Sequence, residues 1–205
     1  ENLQIGGLSG AGTLNTNGHI LMLTNSADYT FSGAVTGQGA IAQMGSGTST
    51  FSGNADLAAV GVTAGHLILS GASNNLSEGA VVSAGGELTL GGHITLSGMV
   101  ENAGAVNIAA DATFSLQLNE FSNGAYTLVA GNGSVSYADT LTEADFTISG
   151  QSLSTITSQG IQVAITQSSN AFTLTFLNGL RDLTWKGTSS SNWNTADANW
   201  ASPSE

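Results

Sequence analysis

The chain has no cysteine, one proline and only two basic residues, Arg181 and Lys186, in 205 positions. Without cysteine there is no disulfide framework, no thiolate metal site and no cysteine nucleophile. The same absence suits a chain crossing an oxidising periplasm, where a stray thiol would form wrong crosslinks, but it does not identify a compartment. One proline beside 28 glycines excludes a collagen-like or proline-rich linker. Two cations against 14 acidic residues leave a formal net charge of −12. No basic stripe can be built for a nucleic acid from two cations, and anionic lipid is repelled. No run approaches 18 apolar residues, and residues 1–20 lack the basic start and apolar stretch of a signal peptide. Charged residues make up only 8% of the chain. Apolar and polar residues nevertheless alternate too regularly for disorder, and the mean hydropathy is positive.

What the chain does have is a phrase that returns three times. Val62-Thr-Ala-Gly-His-Leu-Ile-Leu69, Val82-Ser-Ala-Gly-Gly-Glu-Leu-Thr-Leu90 and Val100-Glu-Asn-Ala-Gly-Ala-Val-Asn-Ile108 each read as a strand end, a glycine turn and an alternating strand. From Ala64 to Ala84 is 20 residues and from Ala84 to Ala103 is 19, a period that fits one coil of a β-solenoid. Phe31, Phe51, Leu69 and Leu90 recur at intervals of 20, 18 and 21 and are expected to stack in one internal column. We therefore expect an all-β protein: a parallel β-solenoid, or β-helix, with three sides over residues 1–118. From Asn119 the rhythm lengthens, and the stretches 161–166 and 171–176 read as a β-hairpin. The last coil of a solenoid exposes apolar side chains and strand edges, so residues 119–180 are assigned to a β-rich, hairpin-containing C-terminal cap. The chain opens in mid-pattern at Glu1-Asn-Leu-Gln-Ile, and we expect it to be a piece of a longer protein.

All three tryptophans fall in residues 181–205, in Leu183-Thr-Trp-Lys-Gly187, Ser191-Asn-Trp-Asn194 and Ala198-Asn-Trp200. The ordered repeats followed by this phrase resemble the module junctions of bacterial surface proteins built from autotransporter-associated β-strand repeats, also called passenger-associated transport repeats. The three copies at 62–108 are similar to that repeat's Val-x-x-Gly-x-Leu-x-Leu core, with Gly12-Thr-Leu14 as a degenerate copy. The resemblance covers about half the chain. It implies an extracellular or outer-membrane setting, a role in secretion or attachment, and a module boundary at 181–205.

Few residue groups invite chemistry. Trp193 and Trp200 are the candidate sugar-stacking pair, an aromatic platform for a glycan; the competing reading is that the tryptophans pack a junction between modules. Asp139, Glu143 and Asp145 are the only close carboxylates, without the turn glycine and regular ligand spacing of a Ca²⁺ loop, and read as a solvated loop. His19, His66 and His93 are separated in sequence and read as exposed turn residues, with His66 and His93 at neighbouring corners. No nucleophile elbow, phosphate loop or metal-ligand motif occurs. The expectation is a non-catalytic structural or adhesive segment with no catalytic residue, cofactor or metal. Its expected partners are a host or cell-surface glycan or protein, or a second copy of itself. The alternatives are a carbohydrate-binding module and a β-helical enzyme acting on polysaccharide.

Overall fold

Alternating segments bury one face and leave a row of backbone donors and acceptors along each edge. Here those edges are satisfied by the equivalent segment one repeat further on. The computed structural model describes residues 1–118 and 123–177, with the backbone of 184–185 and 200–201. It is an all-β parallel solenoid of about six turns.

Three parallel ladders form the three sides. The first joins Leu3–Ile5, Ile20–Leu23 and Ala40–Gln43 to residues 59–62 and 80–82, then to Val100–Asn102 and residues 129–131. The second runs through Tyr29–Phe31, Thr48–Phe51, Gly65–Leu69, Gly86–Leu90, Ala105–Ile108 and Ser134–Tyr137. The third begins with Thr13–Asn15, Ala34–Thr36 and residues 55–57. It continues through residues 74–76, His93–Leu96, Thr113–Leu116 and Phe146–Ile148.

The expected column is present, and Ile108 and Tyr137 extend it above Leu90. Phe31 and Phe51 meet edge to face at 6.1 Å, and Leu69 and Leu90 are fully buried. Three details differ from the sequence reading. The solenoid does not stop at residue 118, because the parallel ladders continue to Ile148. The longer connections from Leu116 to residue 129 and from Tyr137 to Phe146 obscure the period while the sides stay in register. In the third copy, Asn102 rather than Val100 stacks on Val82, since its corner is shorter. Gly12-Thr-Leu14 lies on the third side, paired with Ala34–Thr36, and is not a counterpart of Gly65–Leu69.

The corners impose two requirements. The first is close approach: at Gly65, φ is +63°, and a Cβ would overlap the carbonyl oxygens of Gly45 and Gly47 in the coil beneath. The second concerns carbonyls that turn out of the ladder. Buried amides reach them from inside. Asn25 Nδ2 donates to Ala27 O (2.8 Å), Gln43 Nε2 to Gly45 O (2.9 Å) and Gly47 O (3.0 Å), and Asn74 Nδ2 to Gly71 O (2.8 Å) and Gly91 O (3.0 Å). Asn102 repeats the device, donating to Ser134 O at 2.8 Å and accepting from Gly104 N at 3.0 Å. Each amide supplies a hydrogen bond to a corner carbonyl, and Gly47 O takes a second one from His66 N at 3.2 Å.

Beyond Ile148 the chain closes the end of the stack. Val163–Gln167 and Phe172–Phe176 form the expected antiparallel hairpin, and the second strand also pairs with residues 124–129. Phe172 is fully buried against Phe114, Phe146 and Tyr137, with ring centroids 5.3, 5.8 and 5.9 Å away. A short helix, Leu153–Ser158, starts at Ser152, whose hydroxyl accepts from Thr155 N at 3.2 Å, and buries Leu153 and Ile156.

Two outcomes follow from this register. Leu69→Asp, which leaves an unpaired charge between coils, is expected to cost about 4 kcal/mol or more, while Ser70→Asp on the wet face stays within about 0.5 kcal/mol. Urea unfolding of the two variants gives the comparison, and equal losses would reverse the register. Phe172→Ala should cost about 3–5 kcal/mol by opening the cap, read from the same titration.

Candidate functional site

Every second side chain of a solenoid strand points outward, and stacking places equivalents of successive coils about 4.8 Å apart. Outward rows are therefore where this chain can meet a ligand.

On the second side, Thr48, His66, Glu87 and Ala105 form one row, and Thr50, Ile68, Thr89, Asn107 and Ser136 the next. His66 Nε2 lies 2.7 Å from Thr89 Oγ1, and His66 Nδ1 lies 3.8 Å from Glu87 Oε2. Asn107 Nδ2 donates to Glu87 Oε1, and Ser136 Oγ donates to Asn107 Oδ1. The order hydroxyl, imidazole, carboxylate is that of a nucleophile relay. Its geometry is not. The imidazole–carboxylate distance exceeds a hydrogen bond, the side chains lie on an open sheet face with Glu87 43% exposed, and the backbone N–H groups are committed to the ladder instead of an oxyanion. What the row does chemically is lace four coils together from outside.

The third side repeats the pattern. Asp56 accepts hydrogen bonds from Asn75 Nδ2 (2.8 Å) and Gln38 Nε2, and Ser77 Oγ donates to Gln38 Oε1 at 3.2 Å. The Asn75 amide, then the Gln38 amide, hold the Asp56 carboxyl below the usual aspartate range. Asp28 is lowered as well, chiefly by the backbone N–H of Thr48, which donates to it at 2.8 Å.

The first side differs. Its outward row runs Met22, Ala42, Gly61, Val81, Glu101 and Ala130. Val81 and Met99 are exposed here, and a depression of about 450 Å³ lies beside them.

The candidates from the sequence disperse. His66 and His93 lie within strands on different sides, half-buried, so they are neither corner residues nor neighbours. His93 Nδ1 sits 2.9 Å from Thr113 Oγ1. His19 is in an exposed turn as expected. Asp139, Glu143 and Asp145 each serve local structure. Asp139 accepts from Thr140 N (2.9 Å), Glu143 accepts from Thr157 Oγ1 (2.8 Å), and Asp145 closes a capping box on Thr142 N (2.7 Å). Among the described residues no three His, Asp or Glu side chains gather where a metal ion could be held. Trp193 lies outside the described residues. Trp200 contributes only its backbone, paired antiparallel with Trp185, so the sugar-stacking assignment also lies outside what is described. The His66–Glu87–Thr89 group was missed in the sequence, although its signal was there: His66 and Glu87 each follow the glycine of consecutive copies.

Compared with protein-family models, with characterised proteins and with solved structures, the chain matches none.

The Asp56 network makes an acid-side prediction. A carboxyl whose folded pKa is depressed stabilises the fold above its unfolded value of about 3.9 and loses that contribution as the pH falls through the folded value. Urea titrations from pH 6 down to about pH 3 should show the wild-type midpoint falling more steeply than that of Asp56→Asn. Parallel curves would remove Asp56 from the acid response.

Proposed function

We propose that the chain is a non-catalytic structural and adhesive segment of a bacterial cell-surface or secreted protein of the autotransporter type, working outside the cell or at the outer-membrane surface. The observation that carries this reading is the parallel ladder continuous on three sides to Ile148 and closed beyond it by a hairpin and a helix. About six turns at about 4.8 Å per coil make a rod about 30 Å long. A rod of this kind transmits load through backbone hydrogen bonds and holds whatever it carries at a fixed distance. The outward side chains support the same reading, because on two sides they are occupied with one another. The −12 charge keeps such a rod soluble and away from nucleic acid and anionic lipid. The partners that suit it are a glycan or protein of a host or neighbouring cell. The tryptophan segment at 181–205 serves as the junction to the next module.

The reading is tested at both of its parts. Against a panel of polysaccharides and peptides the purified chain should show no turnover; turnover abolished by His66→Ala or Glu87→Gln would replace the scaffold by a hydrolase. Trypsin can cut only after Arg181 and Lys186. Rapid cleavage leaving a stable body that ends at one of them is the expected pattern for a modular junction, whereas full resistance would place the tail within this domain. A glycan that shifts tryptophan fluorescence in the wild type but not in Trp193→Ala would favour the sugar-binding alternative.

A further inference from the structure

The three sides of the rod are not equivalent. The second and third are covered by side chains that hydrogen-bond across coils. On the first side the outward positions from Met22 to Val81 are apolar or small, and Ile20, Val81 and Met99 are 39%, 52% and 38% exposed. Their row ends on a small residue: Val81 stacks under Glu101, and Glu101 under Ala130, whose side chain is a single methyl. The result is the 450 Å³ depression, in which Val81 and Met99 rise beside Ala103, Ala130 and Gly131. One ionised group lines it. Glu101 is exposed, and its carboxylate makes no hydrogen bond or ion pair among the described residues, unlike those of Asp56 and Glu87.

We propose that this depression docks a basic and apolar polypeptide segment of a partner protein, an apolar side chain resting against Val81 and Met99 and an adjacent Lys or Arg pairing with Glu101. Charge selects this occupant. A carboxylate without a side-chain partner beside exposed apolar surface calls for a cation, and the chain's own cations are only Arg181 and Lys186. A second copy would bring another Glu101 and another −12 against the first, so self-docking is disfavoured by the same field. The depression is shallow and open to solvent, which suits a segment lying across it better than a small molecule enclosed by it. The inference goes beyond the scaffold reading and does not depend on it, since a rod that binds nothing here would still be a rod.

The test uses the full chain and three short fluorescein-labelled peptides of equal length: alternating Lys and Leu, alternating Lys and Ser, and alternating Glu and Leu. Fluorescence anisotropy at near-physiological salt should detect binding of the Lys–Leu peptide alone. Ala130→Trp, which fills the depression, should weaken it about tenfold or more, and Glu101→Gln about fivefold. Asp111→Asn removes the same charge from an exposed corner elsewhere and should leave affinity unchanged. Circular dichroism melts confirm that each variant is folded. Met99→Ser at its part-exposed position replaces Ala130→Trp if the tryptophan is not accommodated, with the same direction expected. Equal binding of the Lys–Ser peptide, or indifference to Ala130→Trp and Met99→Ser, would reduce the effect to net-charge attraction and overturn the site. Equal binding of the Glu–Leu peptide would overturn the role of Glu101. Sedimentation showing a dimer that Ala130→Trp abolishes would give the face to a second copy instead.

Discussion

The structure depends on one constraint: each coil must present its backbone donors and acceptors in register to the coil above and the coil below. A parallel ladder leaves no group unpaired along the sides, so the cost of burying backbone is met wherever the register holds. Everything else is arranged to protect that register. Inward residues stack in rows, as Phe31, Phe51, Leu69 and Leu90 do, because a ladder places equivalent residues of successive coils above one another. A coil one residue too long would turn such a row outward, yet corner lengths vary freely here. The corner between the first and second sides shortens before Gly104 without disturbing either side.

The corners are where the ladder cannot satisfy itself. Carbonyls there point across the turn, and Asn25, Gln43, Asn74 and Asn102 satisfy them from the interior. These buried amides would look misplaced in an apolar core, but in a solenoid they are the counterpart of helix caps, polar groups placed where a regular element ends. They also make the rod specific, since an apolar replacement would take these hydrogen bonds from the carbonyls.

The outward rows show how a repetitive fold acquires local character. Stacking copies side chains at a fixed interval, so neighbours on a row interact whether or not they have a function. On two sides that interaction has become the lacing around His66, Glu87 and Asp56. On the first side, where outward residues are small or apolar, the row ends on Ala130, and its only carboxylate, Glu101, has no side-chain partner among the described residues. Function on such a scaffold is set by departures from the repeat, not by the repeat itself.

The division between what the amino-acid order decides and what the tertiary structure adds follows from this. The twenty-residue period, the column from Phe31 to Leu90, the hairpin near the C-terminus and the absence of a metal motif or basic surface are all local or periodic properties, and the sequence alone determined them. It placed the end of the solenoid at residue 118 because corner lengths, which carry no pairing, interrupt the period before the ladders themselves stop. It could not relate His66 to Thr89, or Val81 to Glu101 and Ala130, because their neighbourhood is created by register between coils and by the varying lengths of the corners. Only the stacked structure decided which polar residues face inward to hold a corner, which face outward to lace a side, and that Glu101 stands beside an apolar depression.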